Sequence, residues 1–135
     1  AGWRGTALGI AGGMIDTLGA RFASRPADIL AAVGPAIGPC CYQVDQPVRD
    51  AFAATGAADR VLRPCPEAGR WMLDLGAANA RQIEARGVPG ANILSAGLCT
   101  ACRQDLFFSH RGSGGRTGRQ VNFLMLRPAE GRKNA

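Results

Sequence analysis

AGWRGTALGIAGGMIDTLGARFASRP, residues 1–26, is the stretch from which the architecture is read. Ile10, Met14, Leu18 and Phe22 recur every four positions behind Leu8, the spacing of one helix face. Thr6 is a residue type that caps helix starts, and Pro26 follows where the pattern stops, so one helix is expected from Thr6 to about Ala23. Gly5, Gly9, Gly12 and Gly13 weaken that helix on propensity. They would also let another backbone come close, which predicts a buried helix. The leading AGWRGT reads as a tight strand-to-helix turn, with Gly2 and Gly5 open to torsions that other residues avoid. Trp3 is a large anchor, and Arg4 is a fork of donors beside the free N–H groups of a helix start. Such a corner suits an anion or polar ligand. The alternative is a turn whose Trp packs and whose Arg is solvated.

Working outward, Ile29 to Val33 is a short apolar run expected as a buried strand. It feeds GPAIGPCCYQV, residues 34–44, where two Gly-Pro pairs force a rigid irregular loop. A fixed loop at a strand end is where α/β proteins place ligands. Asp45 is expected to cap a helix carrying Val48 and Phe52 and closing at Gly56. Residues 57–70 read as a surface connection. Leu73 to Arg86 reads as a helix capped near Asp74 and stopped by Gly87, and Ile93 to Ala96 as a strand. Leu98 to Gly118 has no periodicity, Val121 to Leu126 reads as a last strand, and residues 128–135 as a frayed tail. Helices and short apolar strands alternate, so the class is α/β or α+β, a layered mixed sheet with helices.

The totals narrow the function classes. A 135-residue chain with 47% hydrophobic and 19% charged residues has the mix of one soluble globular domain. No apolar run approaches the length of a membrane span, and no secretory signal pattern is present. Residues 103–135 carry seven Arg or Lys against Asp105 and Glu130, so most of the net +6 sits in the last quarter. A nucleic-acid arm is one reading, but aromatic residues do not interleave with the cations, and only Lys133 among them is Lys. An acidic small molecule such as phosphate suits the same charges. Five cysteines, two of them adjacent, fit reduced intracellular thiols better than a disulfide framework.

Three motifs bear chemistry. Cys99 and Cys102 form a C-x-x-C, half of a zinc site or a redox pair. A metal there is discounted, because no second C-x-x-C exists and only Cys40, Cys41, Cys65 and His110 remain as donors. Cys40-Cys41 could supply a nucleophile with His110 as base, or simply two small buried hydrophobes. FFSHR, residues 107–111, would present His110 and Arg111 to an anion with Arg116 and Arg119 nearby, or pack its Phe pair beneath a solvated basic loop.

Taken in order, AGWRGT, GPAIGPCCYQV, LDLGAANARQIEARGV, and CT followed by FFSHR and TGRQ resemble the YfiH-like, laccase-like multicopper polyphenol oxidase family from Ala1 to about Leu126. That family is also assigned purine nucleoside phosphorylase activity. The resemblance implies a cysteine-hydrolase-type α/β fold in a cytoplasmic domain roughly twice this length, with residues 1–127 as its C-terminal part. It implies one zinc held by two histidines and a cysteine, all before Ala1, so that this chain holds no catalytic or metal residue of its own. It implies phosphorolysis of adenosine, inosine, guanosine and methylthioadenosine, and deamination of adenosine. The substrate-contacting residues would be Gly2, Trp3, Arg4, Gly5, Gly38, Cys41 and Arg111. Gly112 departs from the family, where a second Arg commonly follows the first. The expected partners are a purine nucleoside and phosphate, with the N-terminal half or a second copy completing the site, and neither nucleic acid nor membrane. A copper polyphenol oxidase is the alternative, poorly served by one histidine, and a basic non-catalytic module the third.

Overall fold

The computed structural model describes residues 1–125. Its first turn of chain departs from the single helix expected. Helix α1 (Trp3–Ala7) ends at Leu8, and α2 (Ile10–Phe22) restarts after Gly9, whose φ of +75° is the left-handed conformation a glycine takes without strain. Thr6 is therefore internal and fully buried rather than a cap. Its hydroxyl donates to the Gly2 carbonyl at 3.1 Å and accepts from Asn79 Nδ2 at 3.0 Å.

The apolar stripe of α2 also points the other way. Leu8 is 86% exposed and Phe22 71%, while the buried face is Ala11, Gly12 and Ile15. The expected close approach does occur, but on that short-residue face: a Cβ on Gly12 would lie 3.5 Å from the Gln82 carbonyl oxygen. Small residues win the core-facing side because they let α5 (Leu75–Glu84) come near.

The α/β class holds, with the strands divided between two small sheets. Strand β1 (Ala31–Val33) pairs in parallel with β5 (Ile93–Ser95), Ala31 opposite Ile93 and Val33 opposite Ser95. A bridge between Ala36 and Cys99 prolongs that pairing beyond the strand ends. The second sheet is antiparallel in the order β2 (Gln43–Val44), β4 (Trp71–Leu73), β3 (Leu62–Pro64). Residues 57–70 are thus not a mere surface connection. They contain α4 (Ala58–Val61) and β3, because Val61 and Leu62 are apolar neighbours that both bury.

Helix α3 (Gln46–Ala53) buries Val48 and Phe52 as expected, although the Asp45 side chain makes no capping bond. Leu73 belongs to β4 and is fully buried; α5 starts after Asp74, whose Oδ1 accepts from the Ala77 N–H at 2.8 Å. Gly87, at φ +87°, stops it. Phe52 and Leu73 centre a core with Tyr42, Val44, Val61 and Ala78, each large side chain contributing about 1.5–3 kcal/mol of burial. A smaller cluster of Ala11, Ile15, Ile83 and Val88 seals α2 against α5.

The last strand expected does not form within the described residues. Val121 and Phe123 are 89% and 90% exposed and pair with no strand, so an apolar run without an available sheet edge stays irregular. Leu126 and the tail at residues 128–135 lie outside the described residues. No helix among those described is long and apolar enough to cross a membrane.

Candidate functional site

The parallel pairing of β1 and β5 decides what meets what. Both strands run into ligand-type loops at their carboxyl ends, GPAIGPCC after β1 and CTAC after β5. Ala36 N–H donates to the Leu98 carbonyl at 3.2 Å, and Thr100 N–H to the Ala36 carbonyl at 3.0 Å, which zips the loops together. Two constellations result.

The first is a basic corner around Tyr42. Trp3 packs against the core that holds Tyr42, and the Arg4 guanidinium lies 4.6 Å from the Trp3 ring centre. Arg111 arrives from the irregular loop, 5.2 Å from the Tyr42 ring centre, and donates from Nη1 to the Gln43 carbonyl at 2.7 Å. Burial raises the Tyr42 hydroxyl pKa, and the charges of Arg111 and Arg4 pull it back down, so both cations sit within electrostatic reach of one phenol. Ser109 anchors the Arg111 loop: its buried hydroxyl accepts from the Gly112 N–H at 3.2 Å, and its carbonyl from the Ser113 hydroxyl at 2.7 Å.

The fold thus brings Trp3, Arg4 and Arg111 to one corner. Gly2 has extended backbone with open space around it, and Gly5 lies inside α1, so neither uses glycine's special torsions. His110 forms no hydrogen bond to Cys40 or Cys41 among the described residues, so no Cys–His nucleophile pair is set up. Arg116 and Arg119 are exposed and join no part of the corner.

The second constellation was discounted in sequence for want of a second ligand pair, and the fold supplies that pair. The Sγ atoms of Cys40, Cys41, Cys99 and Cys102 all lie within 4.8 Å of one another and could bind a metal ion. Cys102 Sγ is 3.6 Å from Cys40 Sγ and 3.4 Å from Cys41 Sγ. Gly38 N–H donates to Cys99 Sγ at 3.2 Å. A Cβ on Gly38 would sit 3.2 Å from Cys99 Cβ and 3.4 Å from Cys40 Sγ, so glycine is what lets the loop close on the sulfurs. Hydrogen bonding to Cys102 pushes the Cys41 thiol up to about 12. Burial opposes the Cys99 thiolate, yet the N–H groups of Gly38 and Cys102 outweigh it and bring that thiol down to about 6. Cys65 stands apart, in the turn between β3 and β4, and all five thiols are free. The sequence signal for the tetrad was the adjacent pair plus C-x-x-C, each a few residues past a strand; only the pairing of those strands joins them.

The sequence and fold belong to a known class. The chain is a member of the family described as multi-copper polyphenol oxidoreductase laccase, which matches residues 1–127. It is 48% identical over 126 residues to the purine nucleoside phosphorylase YlmD of Geobacillus stearothermophilus, covering 92% of this chain and 46% of that one. It is 39% identical over 121 residues to the adenosine deaminase RL5 of an unknown prokaryotic organism, covering 88% of this chain and 45% of the relative. The crystal structure of the Bacillus licheniformis hypothetical protein YfiH superposes with a TM-score of 0.83 at 43% identity, over 87% of this chain and 45% of that one. The chain spans less than half the length of these relatives.

Proposed function

We propose that this chain supplies the phosphate-facing half of a purine nucleoside phosphorylase that also deaminates adenosine. The observation that carries this reading is Arg111 lying over the Tyr42 ring with Arg4 within electrostatic reach of the same phenol, in a chain similar to enzymes with those names. Arg4 stacks on Trp3 and Arg111 on Tyr42, so both guanidinium planes are fixed while both side chains remain exposed. Two fixed forks at one corner match a phosphate dianion. Phosphate held there attacks C1′ of the nucleoside; the C1′–N bond breaks, the purine leaves with a proton, and ribose 1-phosphate remains.

The corner offers two guanidinium groups and two aromatic rings. It fits an anion, not a metal. On this reading the catalytic zinc takes its ligands, as the family resemblance implies, from residues outside this chain. The remaining half of the enzyme would also cover the open apolar groove of about 1120 Å³ lined by Leu8, Ile10, Met14, Leu30 and Phe123. Five free thiols suit a cytoplasmic enzyme.

The family's printed description favours a second reading, copper-dependent oxidation of phenols. A chimera in which residues 1–125 replace the matching half of the Geobacillus relative separates the two. Phosphate-dependent release of hypoxanthine from inosine is expected. A folded chimera that oxidises phenols with copper and leaves inosine untouched would overturn the proposal.

A further inference from the structure

We infer that Cys40, Cys41, Cys99 and Cys102 form a closed tetrathiolate site for one zinc-class ion, a structural staple distinct from any catalytic metal. Four sulfurs at about 2.3 Å around a tetrahedral Zn²⁺ stand about 3.8 Å apart. In the fold, all four already lie within 4.8 Å of one another, and Cys102 Sγ stands 3.4 Å from Cys41 Sγ and 3.6 Å from Cys40 Sγ. Sulfurs this close need only side-chain rotation to meet one tetrahedral ion.

The donor set selects the ion. Four sulfurs with no oxygen donor exclude Mg²⁺ and Ca²⁺, and tetrahedral S₄ coordination is that of zinc or an iron–sulfur centre. Four protein ligands also leave no open position, so the ion holds structure and activates no water. Binding would displace the thiol protons to solvent and needs no redox partner.

The surroundings support ligation as well. Metal-bound thiolates are oriented by backbone N–H donors, and Gly38 N–H already points at Cys99 Sγ from 3.2 Å. Cys40 and Cys102 are exposed, which gives the ion a path in, while Cys41 and Cys99 are half-buried. A disulfide would engage only two sulfurs, and it does not explain a cluster of four.

The staple would tie the loop after β1 to the loop after β5. Tyr42 directly follows Cys41, and its neighbour Gln43 accepts the bond from Arg111. Zinc would thus hold the basic corner in place without touching it. This inference does not depend on the nucleoside reading, because metal content and spectra test it without substrate.

The chain, purified without chelator, is analysed for zinc, then stripped and titrated with Co²⁺. One zinc per chain is expected, together with the thiolate charge-transfer and intense visible bands of tetrahedral Co²⁺. Zinc should shield four of the five cysteines from alkylation and leave Cys65 reactive. Cys102→Ser should weaken binding by more than the roughly 10–100-fold typical of lost outer-shell contacts, while Cys65→Ser leaves it unchanged. The alkylation pattern on the unmodified chain decides the matter if Cys102→Ser fails to fold. Cobalt bands without thiolate character, equal reactivity of all five cysteines, or a disulfide within the tetrad of anaerobically purified protein would overturn the staple.

Discussion

Arg111 Nη1 donates to the backbone carbonyl of Gln43 at 2.7 Å, joining positions 68 residues apart. The bond fixes an otherwise irregular loop to the start of the antiparallel sheet, and it consumes one of five guanidinium donors. The rest remain free for an anion. In the phosphorylase chimera, Arg111→Ala should therefore raise KM for phosphate about tenfold, the loss of about 1.4 kcal/mol, with kcat changed less. Stability should fall by no more than about 1 kcal/mol, because the side chain is exposed. An unchanged phosphate KM would place Arg111 in scaffolding only.

Tyr42 is the sole tyrosine, so its ionisation can be followed by ultraviolet absorbance without ambiguity. Burial raises its pKa, and Arg111 and Arg4 oppose the rise. Arg111→Gln should therefore move the titration further up. Since the folded pKa lies above the unfolded one, this phenol stabilises the fold fully below the ordinary tyrosine value. That contribution is lost as pH rises through the folded pKa. A titration midpoint that ignores Arg111→Gln would mean the two side chains are not neighbours.

Thr6 carries a polar junction inside the fold. Its hydroxyl pairs with Asn79, its carbonyl accepts from Gln82 Nε2 at 2.6 Å, and no part of it is exposed. Thr6→Val keeps the shape and leaves the Asn79 amide only its bond to the Leu75 carbonyl, so a loss of about 1–3 kcal/mol is expected in urea unfolding. Thr6→Ser, which keeps the hydroxyl, should recover most of it. Equal losses in both variants would assign the role to the methyl group.

Gly38 is hemmed in by sulfur atoms. Gly38→Ala puts a methyl 3.2 Å from Cys99 Cβ, tighter than such contacts ordinarily run, so the loop must shift. Overpacking of this kind costs about 1–3 kcal/mol, visible as a lower unfolding midpoint at unchanged m-value. Wild-type stability in Gly38→Ala would show that the loop yields freely.

What the sequence disclosed was local. Phe52 and Val48 follow from helical spacing, the α5 boundaries from Asp74 and Gly87, and the loop at 34–41 from its Gly-Pro pairs. Gly9 was legible as a weak helix residue but not as a break, because only its positive φ separates α1 from α2. The exposed stripe of α2 was misread for a tertiary reason: α5 packs on the smaller residues. The cysteine tetrad needed the register of Ala31 with Ile93, a pairing across the chain that no periodicity encodes. The corner at Arg4 and Arg111 was visible as two separate motifs, and only the fold brought both within electrostatic reach of Tyr42.

The outward stripe of α2 makes the last prediction. Met14, 57% exposed, lines one open apolar groove with Leu8, Ile10 and Leu30, and Phe22, 71% exposed, ends the same helix. Apolar patches of this kind mark surfaces that are covered in the assembled protein. Met14→Lys and Phe22→Lys remove no buried contact, and Lys keeps helix propensity and suits the negative end of α2 at Phe22. The stability of the isolated 135-residue chain should therefore change by no more than about 0.5 kcal/mol. Self-association, read by sedimentation velocity across a concentration series, should fall. In an assembly with the complementary half of a relative, the same two changes should abolish joint purification and inosine turnover together. A wild-type chain that stays monomeric at high concentration, or Lys variants that assemble and turn over normally, would show that this face is solvent-exposed by design and that the groove receives nothing.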